Sequence, residues 1–278
     1  MVDSINTNTA SIAARNALSK NNKELAKVQQ DLATGSLIAD PSNLPGPAGV
    51  AFAISADIKT TQAAAKNLVQ GEAYVQTGTG ALATLQELHE QMSSLAATAN
   101  NDMTLDAAAL TNLQLEMDAL TTEAKNVVDT SKFNGVSYFT GANTFQMQVG
   151  TEGSTVLSHT TSDLTSMATA GNTPGFLDIT SAAAAATALT SIAAERVTIN
   201  NEVAKLGALK SRIGFITNNL GTTIQNFSGA KAAFADTDIP SALERSQTLN
   251  ALVDVAGAMM SKTLEKAGKL SELVKSAR

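Results

Sequence analysis

The sequence predicts a mainly α fold: long antiparallel coiled-coil helices, a small β-hairpin region, and N- and C-terminal segments paired with each other. Three observations carry this expectation. Apolar residues recur at alternating steps of three and four through long stretches without proline. Only 5 prolines occur in 278 residues, at Pro41, Pro45 and Pro47, at Pro174 and at Pro240, so helix breaks belong there. Tryptophan is absent and aromatics make up 4%, whereas the 44% apolar content comes mostly from Ala, Leu, Val and Ile, which suits closely packed helices.

Taken in order, Leu18, Leu25, Val28 and Leu32 form a one-sided stripe near the N-terminus. A helix of this kind is marginal alone and needs a partner. Beyond the first prolines, Leu68, Val75 and Leu82 recur at sevens and are followed by Leu85 and Met92, which predicts a helix over about residues 50–99. Gly71, Gly78 and Gly80 weaken it locally. A second seam runs through Leu110, Leu113, Met117, Leu120, Ala124 and Val127. A small hairpin is expected near 133–157, because Asn134-Gly135 is a turn signal and Phe145, Met147 and Val149 alternate with polar residues before Thr155-Val156-Leu157. Ser158 to Thr180 is rich in Thr, Ser, Ala and Gly without periodicity and reads as an outward-facing loop. The seam resumes at Leu206, Leu209, Ile213, Ile216 and Leu220, with Phe227 beyond it. Leu249, Leu252, Ala256, Met259, Ala267, Leu270 and Val274 form the C-terminal stripe. The simplest partner for either terminal stripe is the other, or copies of both in neighbouring molecules.

Charge narrows the function. With 19 basic against 25 acidic side chains the net charge is −6, which offers no basic footprint for nucleic acid. No stretch approaches the ~18 consecutive apolar residues of a membrane span, and the first residues lack the basic and apolar regions of a cleaved signal. The chain has 0 cysteines, which removes disulfides, thiol catalysis and thiolate metal sites. No cofactor is expected.

Several fragments imitate catalytic motifs. His89-Glu90-Gln91-Met92-Ser93 begins like a zinc helix, but Ser93 stands where the second imidazole must face the metal, and His159 lies in the Thr/Ser-rich stretch. His89 therefore reads as a helix-surface or seam residue. Gly78-Thr79-Gly80-Ala81-Leu82-Ala83 fits a dinucleotide fingerprint, yet the heptad positions Val75 and Leu82 run straight through it and no βαβ unit surrounds it. Asn226-Phe227-Ser228 matches a glycosylation sequon inside a helical seam, and Asp236-Thr237-Asp238 reads as a turn and helix cap. No catalytic residues are expected, and the chain is not read as an enzyme.

The opening Ile5-Asn6-Thr7-Asn8, then Ile12, Ala13, Asn16 and Leu18, then Leu32-Ala33-Thr34-Gly35 and Ala53-Ile54-Ser55, resembles the N-terminal region of bacterial flagellins. The resemblance continues through Gly80-Ala81-Leu82, Phe133-Asn134-Gly135-Val136 and Phe145-Gln146-Met147-Gln148-Val149-Gly150. It resumes at Leu206-Gly207-Ala208, Ser211-Arg212-Ile213, Asn219-Leu220, Asn226-Phe227, Asp236-Thr237-Asp238 and Ala256-Gly257-Ala258-Met259. Departures occur too. Asp31 and Leu37 stand where the family commonly has arginines, Pro41 to Pro47 bring an insertion, and Ala233-Phe234-Ala235-Asp236 replaces an arginine-rich run. Exposed ion pairs contribute only ~0–1 kcal/mol each, so apolar packing can carry assembly without those arginines.

The resemblance implies a structural subunit that polymerises into an extracellular filament for motility, secreted by the flagellar type III export apparatus with an export chaperone guarding the C-terminal segment. Hook-filament junction and cap proteins are further implied partners. A junction protein, or an adhesin or receptor on the same scaffold, is the alternative. The implied organisation is a terminal assembly domain of residues 1–40 and 240–278, a rod domain of 41–157 and 181–239, and a short variable loop of 158–180. Ile5, Leu18, Leu25, Val28, Leu32, Leu249, Leu252, Met259, Met260, Leu270 and Val274 are the expected assembly interface. Flagellins sensed by the vertebrate innate receptor carry two arginines and a glutamate on one helix, and ungapped alignment places Gln91, Ser93 and Ser94 there instead.

Overall fold

A computed structural model describes residues 9–101, 105–150, 155–165 and 177–276. Among the described residues five long helices predominate: α1 (Thr9–Thr34), α2 (Pro45–Ala99), α3 (Ala107–Thr130), α4 (Ala182–Ala235) and α5 (Ile239–Ser276). Between α3 and α4 lie β1 (Lys132–Phe133), β2 (Val136–Ser137), β3 (Thr144–Gln148) and β4 (Val156–Thr160), joined as two separate antiparallel pairs. The protein is mainly α with a small β region, as the periodicity predicts. Contacts divide it into two compact units, one of Met1–Ala56 with Asn226–Arg278 and one of Asp57–Gln225.

The first unit joins the two ends of the chain. Its helices α1 and α5 run antiparallel: Glu24 lies opposite Arg245, and the Asp31 carbonyl accepts from the Thr237 hydroxyl at 3.3 Å, so partner numbers fall as the others rise. Helix α1 ends on Gly35, whose φ of 67° is open to glycine without a Cβ penalty. That turn lets the Leu37 amide donate to the Ala235 carbonyl at 2.8 Å and the Thr237 amide donate to the Gly35 carbonyl at 3.0 Å. Pro45 opens α2 and Pro47 follows in its first turn, where a missing amide hydrogen costs nothing. Ile38, Ala48, Ala51 and Ala235 close a small apolar cluster there.

The second unit holds the main core. Leu68, Val75, Leu82, Leu85 and Met92 of α2 are all buried, as are Leu206, Leu209, Ile213 and Leu220 of α4. On α3, Met117, Ala124 and Val128 are buried, while Leu110, Leu113, Leu120 and Val127 are half-buried against the same core. Helices α2 and α4 are antiparallel here, because Gln86 hydrogen-bonds Asn200 at 2.8 Å and His89 meets Glu195 at 2.9 Å. Helix α3 is capped by Asp106, whose carboxylate accepts from the Ala109 amide at 2.7 Å.

The hairpin region is larger than the sequence predicts. Asn134 (φ 50°) and Gly135 (φ 81°) are both left-handed, the geometry of a tight two-residue turn, and they join β1 to β2. Strands β3 and β4 form a second pair, in register from Thr144 opposite Thr160 to Gln148 opposite Val156. Strand β4 occupies Ser158–Thr160, where the sequence reading begins its outward loop, and Leu157, His159, Thr161, Leu164, Leu177 and Ile179 are buried. The expectation that 158–180 is wholly an exposed loop is therefore corrected. Its inward positions alternate Leu157, His159, Thr161, so two of the three are polar and the period of two does not register as hydrophobic. Residues 166–176 of the expected loop lie outside the described residues.

Gly71 and Gly78 do not soften α2, which runs unbroken through both. A Cβ at Gly71 would strike the Met147 side chain, and one at Gly78 would fall inside the Tyr138 phenol. Tyr138 is in turn stacked on Tyr74, with ring centroids 4.5 Å apart, and donates its hydroxyl to the Tyr74 carbonyl at 3.2 Å. These glycines seat β3 and the segment after β2 on the helix.

Candidate assembly surfaces

On α1, Val28 is buried and Leu18, Leu25 and Leu32 are half-buried, as expected for residues facing a paired helix. On α5, Leu249 and Ala256 are buried. The rest of the expected C-terminal stripe behaves differently. Leu252 is 46% exposed and Met259 58% exposed, with Val255 between them at 56%, and Met260 is half-buried. The steps of three and four from 252 to 259 put these three on one flank of α5, beside the buried face. Among the described residues Leu252 and Met259 are thus about half exposed rather than buried within the chain. Ile5 lies outside the described residues, as do the side chains of Leu270 and Val274.

Polar support for this pairing is thin. The Arg245–Glu24 pair, at 3.2 Å, joins two exposed side chains, so it contributes only ~0–1 kcal/mol. Asp31 is buried on α1, Leu37 lines a cleft of about 400 Å³ with it, and Ala235 is buried in the small apolar cluster. Asp238 caps α5 by accepting from the Ser241 amide at 3.3 Å, which agrees with the turn-and-cap reading of Asp236-Thr237-Asp238.

The motif imitations of the second unit are structural. Of the two expectations for His89, a helix surface or a seam, the burial fits the seam: the side chain is fully buried, with Nδ1 2.8 Å from the Leu85 carbonyl and Nε2 2.9 Å from Glu195. His159, on β4, meets Glu202 at 3.1 Å. Among the described residues no group of three or more His, Cys, Asp or Glu side chains could share a metal ion. Phe227 is half-buried inside α4, so the sequon lies in a helix.

Among the described residues Glu202 is the most enclosed carboxylate. Its side chain is fully buried and accepts from Ser162 Oγ at 2.6 Å, the Ser162 amide at 3.2 Å, His159 at 3.1 Å and Lys205 at 3.2 Å. Burial pushes its carboxyl up, but hydrogen bonds from His159, Ser162 and Lys205, with the lysine charge, outweigh burial and hold it at about 2. Burial also raises the phenols of Tyr74 and Tyr138 beside it. This knot ties β4 and its following segment to α4, and sequence reasoning missed it. The signal was available: extending the Leu206 seam toward the N-terminus by steps of four and three lands on Glu202, Ile199, Glu195 and Ile192. Two acidic residues at seam positions demand partners, and the chain has 2 histidines.

The positions compared with receptor-sensed flagellins lie on α2. Gln91 and Ser94 are exposed and Ser93 is half-buried, so this helix face presents short neutral side chains. Among the described residues no helix is long and apolar enough to cross a membrane.

Comparison with known proteins places these surfaces in a family. Residues 5–144 match the bacterial flagellin N-terminal helical region, and residues 186–270 match the bacterial flagellin C-terminal helical region. Over 311 aligned positions the chain is 26% identical to a flagellin of Bacillus subtilis, covering 98% of this chain and 99% of that relative. It is 30% identical to flagellin FljK of Caulobacter vibrioides over 78% of both chains. A flagellar filament 30.7 kDa core protein of Treponema maltophilum is 23% identical over 85% of this chain and 87% of its own. With most of its paired terminal helices and most of its helical seams inside the matched regions, the chain belongs to the bacterial flagellin family.

Proposed function

We propose that this chain is a structural subunit that polymerises into the extracellular flagellar filament and so serves motility. One observation carries the reading at the residue level. Helix α5 buries Leu249 and Ala256 on the face paired with α1, yet leaves Leu252, Val255 and Met259 exposed along an adjoining flank. A run of apolar residues left uncovered in one subunit is what a repeated contact between copies would bury, and a head-to-tail contact that does not close builds a helical filament. Ile5, Leu18, Leu25, Val28, Leu32, Met260, Leu270 and Val274 complete the proposed interface, some within the terminal helix pair and some between subunits.

Residues 1–40 and 240–278 then act as the assembly domain, and 41–157 with 181–239 as the rod. Export through the flagellar type III apparatus, a chaperone on the C-terminal segment, and contacts with hook-filament junction and cap proteins follow as further parts of the same reading. The chain is read as non-enzymatic, its two histidines serving carboxylates inside the core. Seeded polymerisation followed by electron microscopy tests the proposal. Intact protein should extend seeds into filaments, while chains lacking residues 1–32 or 249–278 should remain soluble and helical without extending them. Normal filaments from either truncated chain would overturn the reading.

A further inference from the structure

Asp31 carries a carboxylate without a partner. The residue is only 7% exposed, yet among the described residues its side chain makes neither a hydrogen bond nor an ion pair. It lines the cleft of about 400 Å³ between the end of α1 and the start of α5. The donors around that cleft are engaged elsewhere. Thr237 Oγ donates to the main-chain carbonyl of Asp31 at 3.3 Å, and the Ser241 and Ala242 amides that open α5 donate to the side chain and main chain of Asp238 at 3.3 Å and 2.9 Å. Arg245 is paired with Glu24 at 3.2 Å, and the charge of Lys27 acts on Asp40. A carboxylate so far removed from water is costly until a cation meets it.

An unmatched cation stands on the same helix. Lys23 is exposed and forms no ion pair among the described residues. One turn away on α1, in either direction, stand Ser19, Lys20, Ala26 and Lys27, with no acid among them. Its sequence neighbour Glu24 is already taken by Arg245. Like charges one turn apart disfavour one another, so Lys23 gains from an acid supplied from outside. Asp31 of the same copy cannot supply it, because about 12 Å of helix separates the two, too far for the side chains to meet.

We propose, resting on the filament reading above, that the cleft at Asp31 receives the Lys23 ammonium group of a second copy of this chain. The contact is heterologous: each copy offers a cleft at one place and a lysine at another, so satisfying both takes two neighbours, and the series grows as a filament where the rotation does not close. Enclosure makes this charge-assisted contact stronger than an exposed pair such as Arg245–Glu24. It also supplies what the apolar flank of Leu252, Val255 and Met259 lacks, since paired charges fix register whereas apolar contact tolerates sliding.

A double-mutant cycle in seeded polymerisation tests the pairing with neutral variants of nearly unchanged size. The quantity read is the monomer concentration left when growth stops. Asp31→Asn and Lys23→Gln should each raise it about tenfold, and the double variant should raise it no further than either alone. Additive effects, or a single variant that grows as the parent does, would overturn the pairing. Thermal melts of the monomers supply the second reading. Asp31→Asn should melt no lower than the parent, because the isolated chain loses a buried charge that nothing in it answers. A lower melting temperature would assign the carboxylate to the fold of the single chain and overturn the proposal. Failure of the parent itself to extend seeds would overturn the filament reading and this inference with it, whereas equal growth of parent and Asp31→Asn overturns this inference alone.

Discussion

Gly78→Ala and Gly80→Ala, two residues apart on α2, should move stability in opposite directions. Both positions are helical, and alanine is favoured over glycine in a helix interior by ~1 kcal/mol. At Gly80 nothing lies within 4 Å of the added methyl, so that gain should appear undiminished. At Gly78 the methyl would stand 2.8 Å from Tyr138 Cε1, with Cζ and Oη nearer still, against the ~3.5–4.0 Å of an ordinary carbon contact. Tyr138 has little room to retreat, being fully buried, stacked 4.5 Å from Tyr74 and hydrogen-bonded to its carbonyl. Overpacking of a rigid core costs ~1–3 kcal/mol and occasionally more, and an approach this close belongs in the upper half of that range, so after the ~1 kcal/mol helix gain Gly78→Ala should come out destabilising by roughly 1–2 kcal/mol. For a unit of this size that is a fall of about 2–8 °C in Tm, beside a rise of about 2–4 °C for Gly80→Ala. Calorimetry of the monomeric protein decides it. If both variants melt above the parent, Tyr138 does not pack against the helix at Gly78 and the account of how the hairpin region is seated fails.

Other outcomes follow from the same geometry. Glu202 is depressed to about 2, so its contribution to stability is complete above the ordinary carboxyl value of 4.5 and is lost as pH falls toward 2; urea melts across that range should be flatter for Glu202→Gln than for the parent. Leu206→Ala, at a fully buried seam position of α4, should cost ~2–5 kcal/mol in chemical denaturation, and an unchanged midpoint would mean that the seam is not packed. On cells expressing the vertebrate flagellin receptor, the monomer should be a weak or silent ligand, because Gln91, Ser93 and Ser94 provide neither a guanidinium fork nor a carboxylate. The triple variant Gln91→Arg, Ser93→Arg, Ser94→Glu should restore response, and strong activation by the parent chain would refute this.

Where burial follows hydrophobicity, the sequence was legible. The α2 positions Leu68, Val75, Leu82, Leu85 and Met92 are all inside, and so are Leu206, Leu209, Ile213 and Leu220, because a seam repeated at three and four leaves one face of a helix apolar. The pairing of α1 with α5 was legible for the same reason. Legibility ended where burial is polar or where the contact is made by an absent side chain. His159 and Thr161 occupy inward strand positions without hydrophobic character, and their partners come from Glu202 on α4 and Asn143 before β3, far away in sequence. Gly71 and Gly78 look like helix breakers in one dimension and become contact points only when Met147 and Tyr138 arrive from elsewhere in the chain. At the terminal stripes, periodicity identified the apolar positions but could not separate those covered within the chain, such as Leu249, from those left open, such as Leu252. Both kinds share one period and differ by a fraction of a turn.

The buried histidine–glutamate pairs also bear on register. An aliphatic seam is tolerant of sliding: moving α4 by seven residues replaces leucine with isoleucine or leucine and leaves apolar faces together. Glu195 and Glu202 remove that tolerance, since they stand seven residues apart on the seam and each meets one of the chain's 2 histidines. Sliding α4 one way brings Glu202 to His89, sets Leu209 against His159 and strands Glu195 among apolar neighbours. Sliding it the other way brings Glu195 to His159, sets Ala188 against His89 and strands Glu202. Each slip therefore leaves one buried carboxylate and one buried imidazole unpartnered, a penalty of several kcal/mol that the aliphatic positions alone do not impose. Two histidine–carboxylate contacts at heptad spacing select a single alignment of α2, β4 and α4, and that alignment places Tyr138 over Gly78 and Met147 over Gly71.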